Sequence, residues 1–168
     1  ELYDWFYHSE EARAAQIRTP ITDGLGEPWV WRQKDIRGWW ENEHHDRVDG
    51  VRSPTPTAWV PQSKPVWFTE LGCAAIDKGT NEPNKFLDPK SSESALPRYS
   101  NGLRDDYIQV QYLRAMHRHF AQPAANPQSS AYAGRMVDMD RLHVWAWDAR
   151  PFPQFPANRT LWADAPNY

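Results

Sequence analysis

The hydrophobic residues of this chain follow two kinds of pattern, one helical and one typical of short buried strands. Between 103 and 120, apolar side chains recur every three or four residues, which predicts an amphipathic helix. The runs 65–72 and 142–148 are apolar, aromatic and β-branched, and the first lies between Pro65 and Gly72. Each run therefore predicts a strand.

Two further segments of the chain have a weaker pattern. A shorter helix is predicted over 33–41, where Ile36, Trp39 and Trp40 fall on one stripe. The polar stretch 42–64 contains several prolines and is predicted to be a loop.

The order of the predicted elements is helix, strand, long loop (73–102), helix and strand. Strands that alternate with helices indicate βαβ units and a parallel sheet, so the predicted fold class is α/β. Two strands cannot close a barrel, and a complete (β/α)₈ barrel takes about 250 residues. We therefore expect residues 1–150 to be the C-terminal portion of such a barrel, and the proline-rich tail 151–168 to be an exit linker.

Composition and charge exclude several classes of protein. The net charge is −3 and there is no run of Lys or Arg, which argues against nucleic-acid binding. No apolar run approaches the roughly 20 residues that span a bilayer. The start of the chain has no signal-peptide pattern, and we expect the chain to be part of a larger protein. The single Cys73 excludes an internal disulfide framework and a multi-cysteine metal site.

Tryptophan is unusually abundant, with 10 residues, and the chain also contains 15 prolines. Such a composition suits a surface that binds flat, hydroxylated ligands, because indole rings stack on the apolar faces of sugars. Tryptophan also fills hydrophobic cores, and composition leaves both interpretations open for each ring.

Glu70 is the first candidate for chemistry because it lies at the C-terminal end of a predicted strand. In α/β barrels the catalytic residues lie at that end. Strand alternation predicts that Val66, Phe68 and Glu70 share one face, and that Trp67 and Thr69 share the other. The alternative is a glutamate that only caps the following loop by hydrogen bonds.

The end of the second predicted strand carries further candidates. Alternation places His143, Trp145 and Trp147 on one face, and a tryptophan at a strand end can stack on the apolar face of a sugar ring. Asp148 follows directly and is a weaker candidate for contact with substrate. Its alternative role is an ion pair with Arg150.

Three other features carry less weight. His44, His45 and Asp46 resemble a metal cluster, but adjacent histidines diverge and no third ligand has a matching spacing, so we predict no metal site. Cys73 is expected to be a small buried residue. The Asn-Glu-Pro sequence at 81–83 resembles a glycosidase motif, but it does not follow an apolar strand and is interpreted as a loop.

Several blocks of the sequence resemble one known family. They are Asp-Trp-Phe-Tyr at 4–7, Asp-Ile-Arg-Gly-Trp-Trp at 35–40, the segment 61–73 that contains Thr-Glu-Leu-Gly, the segment 88–97, and His-Val-Trp-Ala-Trp-Asp-Ala-Arg-Pro at 143–151. The chain resembles the TIM-barrel-like, glycoside-hydrolase-like domain of tail or baseplate proteins in gene transfer agents and related phages. The resemblance implies that Glu70 lies at the end of strand seven, where many retaining glycosidases have their nucleophile. It also implies that Trp147 lies at the end of strand eight and forms the floor of a sugar-binding subsite.

The resemblance also implies a function and a setting. The first hypothesis is a hydrolase acting on cell-wall or surface polysaccharide, with Glu70 as nucleophile and with Trp67, Trp145, Trp147 and Asp148 in contact with substrate. The alternative is a non-catalytic glycan-binding or structural tail module, and a metal-dependent hydrolase is a third, weaker reading. The expected partners are peptidoglycan or another polysaccharide and other tail or baseplate proteins, without nucleic acid, membrane span or cofactor. The expected location is the tail of a phage-like particle that is produced in the bacterial cytoplasm.

Overall fold

A computed structural model describes residues 4–32, 34–88, 91–145, 153–161 and 165 of the chain. In chain order the elements are β1 (Trp5–Phe6), α1 (Glu10–Ala14), β2 (Thr19–Pro20), a 3₁₀ helix (Pro28–Trp31), α2 (Ile36–Glu41), β3 (His45–Val48), β4 (Val51–Pro56), β5 (Val66–Leu71), a second 3₁₀ helix (Gly79–Asn81), α3 (Asp106–Phe120), β6 (Val137–Val144) and α4 (Gln154–Ala157). The strands form three two-stranded sheets, and the described residues close no barrel. The fold is mixed α/β.

The chain divides into two units. Unit 1 comprises Glu1–Pro65 and Gln128–Met136, and unit 2 comprises Val66–Pro127 and Val137–Tyr168. The sheets β1–β2 and β3–β4 are antiparallel and lie in unit 1, whereas β5–β6 is parallel and lies in unit 2. Unit 2 therefore contains the βαβ unit that the sequence predicts.

Helix α3 packs against the parallel strands of unit 2. The ring of Phe120, near the end of α3, lies 5.4 Å from the ring of Phe68 on β5. Phe68 in turn pairs with Leu142 on β6. This arrangement confirms the predicted parallel pairing of the two strands and the predicted position of the helix that connects them.

The start of α3 differs from the sequence prediction. The helix begins at Asp106 because the side chain of Asp105 accepts a hydrogen bond from the backbone N–H of Ile108 (3.0 Å), as an N-cap residue does. The preceding residues are extended, and the carbonyl of Leu103 accepts a hydrogen bond from the N–H of Asp77. Three predicted helical positions therefore belong to the loop.

Strand β6 begins five residues earlier than predicted, at Val137. The side chain of Asn126 is fully buried and makes two hydrogen bonds with the backbone of Val137, one to the carbonyl (3.0 Å) and one from the N–H (2.7 Å). Val137 is also the partner of Val66 on β5, so the pairing of the two strands begins at this residue. Residues 146–148 of the predicted strand lie outside the described residues.

The segment 42–64 is not only a loop, as the sequence pattern predicts, because it contains the hairpin β3–β4. Asp49 and Gly50 form its turn with positive φ angles of 50° and 79°. An Asp-Gly pair with this geometry is a strong hairpin signal, since both residues adopt left-handed conformations at low cost. The two strands were not predicted because most of their residues are polar or proline.

Helix α2 is shorter than predicted, and the two tryptophans of its predicted apolar stripe differ in burial. Asp35 caps it by accepting a hydrogen bond from the N–H of Gly38 (2.8 Å). Trp40 is fully buried, whereas 47% of the neighbouring Trp39 is exposed to solvent. The two rings therefore have different roles, which the helical spacing did not distinguish.

An ion-pair cluster joins the loop before α2 to the hairpin. Glu27 accepts hydrogen bonds from Arg52 (2.7 Å) and Arg47 (2.7 Å), and Arg47 also pairs with Asp23 (3.0 Å). The indole N–H of Trp31 donates to Asp23 (2.9 Å). The hydrogen bonds from Arg52 and Arg47 hold the pKa of Glu27 below its ordinary value, and those from Trp31 and Arg47 lower the pKa of Asp23.

Acidification is expected to destabilise unit 1 through this cluster. Both carboxyl pKa values are lower in the folded chain, so their stabilising contribution is present above the ordinary pKa values of 3.8 and 4.5 and is lost as the pH falls through the folded values. Glu27→Gln is expected to lower Tm at neutral pH by roughly 5 °C. The Tm difference between wild type and variant should shrink below about pH 4.5, and a difference that stays constant down to low pH would contradict the prediction.

Candidate functional site

The candidate site lies where β5 and β6 end. Because the strands are parallel, their carboxyl ends meet at one edge of the sheet, the place where α/β folds bind ligands. Glu70 is the penultimate residue of β5, and Trp145 follows β6 directly. The N–H of Trp145 donates to the carbonyl of Leu71 (3.1 Å), which joins the two strand ends.

The predicted sharing of one face by Val66, Phe68 and Glu70 is wrong. Phe68 contacts α3, and the buried Leu71 lines a groove together with side chains of α3, so these two residues face the helix. They are three positions apart, and the strand register shifts between them. A bulge at this point interrupts the alternation of side chains, and it leaves Glu70 exposed while Leu71 takes the buried position.

Two aromatic candidates of the sequence analysis lie among the described residues, Trp145 at this edge and Trp67 near the amino end of β5. Trp67 is half exposed, and the guanidinium of Arg141 on β6 lies 5.0 Å from the centre of its ring, a cation–π contact. Trp145 is 40% exposed, and its ring centre lies 5.1 Å from that of Phe86. Trp147 and Asp148 lie outside the described residues.

Arg141 and Phe86 are two residues that sequence reasoning missed. Phe86 belongs to the long loop 73–102, so its contact with Trp145 brings that loop to the carboxyl ends of the strands. The loop therefore runs past the end of the sheet that carries Glu70. Arg141 was missed because β6 was predicted to begin one residue after it.

Glu70 is the exposed carboxylate of this edge, and none of the described residues donates a hydrogen bond to it or pairs with it. Such a group accepts hydrogen bonds from ligand hydroxyls or attacks an electrophilic carbon. The partly exposed indole ring of Trp145 adds a flat apolar face to this edge. The edge therefore presents an exposed carboxylate and an aromatic ring to solvent.

The weaker candidates have structural roles. His44 hydrogen-bonds the carbonyl of Trp39 (2.7 Å), and His45 hydrogen-bonds that of Ser53 (3.0 Å). Among the described residues no three His, Cys, Asp or Glu side chains are grouped as metal ligands. Cys73 is buried, and burial raises the pKa of its thiol, which opposes a role as nucleophile.

The Asn-Glu-Pro sequence lies in a loop, as predicted. The carboxylate of Glu82 accepts a hydrogen bond from the backbone N–H of Arg98 (2.8 Å) and pairs with Lys85 (3.2 Å), and the first of these contacts lowers its pKa most. Glu82 therefore fastens two parts of the long loop to each other.

Comparison with known proteins agrees with the parallel βαβ unit and with the sequence resemblance. No match was found among curated proteins. No helix in the described part of the chain has the length and apolar character needed to cross a membrane. The family model of the GTA TIM-barrel-like domain matches residues 1–156, which is most of the chain. The chain therefore belongs to the family of TIM-barrel-like domains of gene transfer agent proteins.

Proposed function

We propose that this domain hydrolyses cell-wall or surface glycan as part of a tail or baseplate protein, with Glu70 as the nucleophile. The observation that carries the proposal is the exposed carboxylate of Glu70 at the carboxyl end of a parallel strand, at the edge that also presents Trp145. Residues 1–150 are, in this proposal, the C-terminal part of a (β/α)₈ barrel, and residues 151–168 lead out of it. The particle tail is the place where the domain acts.

The proposed chemistry is that of a retaining glycosidase. A carboxylate oxygen of Glu70 attacks the anomeric carbon, the bond to the leaving oxygen breaks, and a second carboxyl group protonates that oxygen. Water then releases the sugar from Glu70, with the second group as base. The two carboxyl groups must lie roughly 5–5.5 Å apart, and a complete barrel supplies the second one from another strand.

The aromatic residues of the edge supply binding in this proposal. Trp145 offers a ring face to the sugar at the strand ends, and Trp67, Trp147 and Asp148 keep the substrate-binding roles that the sequence resemblance implies. Stacking contacts act on substrate and transition state alike, so they contribute mainly to KM.

A second candidate is a non-catalytic glycan-binding or structural module. It is favoured by the absence, among the described residues, of any group that holds the carboxylate of Glu70. Catalytic side chains are normally held in place by supporting hydrogen bonds. A binding module needs the aromatic faces but no oriented nucleophile.

Glu70→Gln in the full-length protein is expected to lower kcat on peptidoglycan or a capsule-type glycan by about a thousandfold or more. The amide has nearly the shape of the carboxylate but cannot attack, so glycan binding should persist. Trp145→Ala should instead raise KM, because it removes a stacking face.

Glu10→Gln is the matched control, since Glu10 is an exposed glutamate at the start of α1 in unit 1 and should leave turnover unchanged. Near-full turnover by Glu70→Gln would refute the assignment of the nucleophile. A wild-type protein that binds glycan without turnover would favour the second candidate.

A further inference from the structure

Unit 1 contains a second aromatic surface, which the candidate site in unit 2 does not include. The aromatic cluster consists of Trp29, Trp39, His44 and Trp59. The ring of His44 lies at its middle, with ring centres 4.6 Å from Trp39, 5.4 Å from Trp59 and 5.5 Å from Trp29. His44 and Trp59 are nearly parallel, with 14° between their planes.

The rings of the aromatic cluster are held by polar contacts as well as by each other. His44 hydrogen-bonds the carbonyl of Trp39 (2.7 Å), and the indole N–H of Trp59 donates to the carbonyl of Asn42 (3.2 Å). Asn42 in turn donates from its amide to the carbonyl of Gly38 (2.8 Å). Rings that are already fixed lose little conformational freedom when a ligand binds.

Gly38 brings Trp29 close to α2. A Cβ at position 38 would lie 2.6 Å from the Cβ of Trp29, so only glycine permits this approach. The cluster is therefore assembled from three separate parts of unit 1: the 3₁₀ helix with Trp29, α2 with Trp39, and the chain around the hairpin with His44 and Trp59.

The cluster is only partly covered. Trp39 is 47% exposed, whereas its neighbour Trp40 is fully buried, and the other three rings of the cluster are partly buried. Glu43 and Asn42, which adjoin the cluster in sequence, are exposed polar residues. An exposed apolar patch with a polar rim is typical of a ligand-binding surface.

We propose that the aromatic cluster binds a chain of β-linked pyranose sugars, separately from the site that contains Glu70. A β-linked glucopyranose ring carries its substituents equatorially, so it presents apolar C–H faces to aromatic rings and hydroxyls to the polar rim. The ligand class is that of the proposed function, but the binding does not depend on catalysis by Glu70.

The test is calorimetric titration of the full-length protein with a tetramer of β-1,4-linked N-acetylglucosamine. Trp39→Ala is expected to raise Kd roughly tenfold, and Trp39→Tyr, which keeps a ring for stacking, should restore most of the affinity. An α-linked mannose tetramer, whose axial hydroxyls interrupt the apolar face, should bind much more weakly.

Phe6→Ala is the matched control, because Phe6 is also 47% exposed and belongs to unit 1 but not to the aromatic cluster. It should leave Kd unchanged. The proposal is overturned if the wild type does not bind, if Trp39→Ala binds like the wild type, or if Trp39→Tyr loses as much affinity as Trp39→Ala. It is also overturned if Trp145→Ala alone removes the binding, an outcome that would assign the glycan to unit 2 and leave the proposed function intact.

Discussion

Trp40→Ala is expected to lower the stability of unit 1 by about 4 kcal/mol, which is a large part of the stability of an ordinary domain. Trp40 is fully buried, its indole N–H donates to the carbonyl of Lys64 (2.7 Å), and its own carbonyl accepts from the N–H of Gln62 (2.9 Å). Removing the ring leaves a large cavity and an unpaired carbonyl between α2 and the segment before β5. Urea denaturation of the full chain measures the loss.

Two variants separate the contributions of volume and hydrogen bonding at Trp40. Trp40→Phe keeps much of the volume but leaves the carbonyl of Lys64 unpaired, so it should cost about 1–3 kcal/mol. Trp39→Ala, one position away on the same helix, should cost clearly less than Trp40→Ala because its ring is half exposed. Equal losses for Trp39→Ala and Trp40→Ala would show that burial does not distinguish the two rings.

Gly72→Ala is expected to separate the carboxyl ends of β5 and β6. A Cβ at position 72 would overlap the backbone carbonyl oxygen of Trp145. A backbone atom cannot relieve the overlap by changing rotamer, as a flexible side chain can, so the strand ends must move apart. We expect this to lower the free energy of unfolding by about 1–3 kcal/mol. The hydrogen bond from the N–H of Trp145 to Leu71 should weaken, and the Trp145 amide should exchange its hydrogen faster.

Gly26→Ala is the comparison for this substitution. Nothing lies within 4 Å of a Cβ at Gly26, although its φ of +78° makes alanine unfavourable there. That variant should lose some stability without any change at the Trp145 amide. Unchanged exchange at Trp145 in Gly72→Ala would contradict the steric argument. If the proposed function holds, Gly72→Ala should also raise KM for glycan, since it displaces Trp145 from its position beside Phe86.

The elements that sequence predicted well are those whose signals are local. The apolar run between Pro65 and Gly72 corresponds to β5, and the helical spacing between 103 and 120 corresponds to α3 from Asp106 onward. Their alternation was enough to predict a parallel pair, because a strand, a helix and a strand in succession favour that connection. The position of Glu70 at the carboxyl end of β5 follows from the same local pattern.

The elements that sequence missed depend on contacts between distant residues. β6 begins at Val137, where the strand pairs with Val66 of β5 and where Asn126 hydrogen-bonds the backbone, and no local sequence pattern predicts these contacts. The hairpin β3–β4 is an exception, because the Asp49-Gly50 turn is a local signal in the sequence, but the polar residues of its strands led to the prediction of a loop. The contact between Phe86 and Trp145 joins residues 59 positions apart in the chain.

The candidate site shows the same division. By itself the sequence determined which residue types stand at the strand ends: Glu70 on β5 and Trp145 after β6. Only the tertiary structure decided that Leu71 rather than Glu70 is buried, because a bulge in the pairing with β6 interrupts the alternation of β5. It likewise decided that Trp40 fills the core while Trp39 meets solvent, since helical spacing places a side chain on a face but the packing around that face determines its burial.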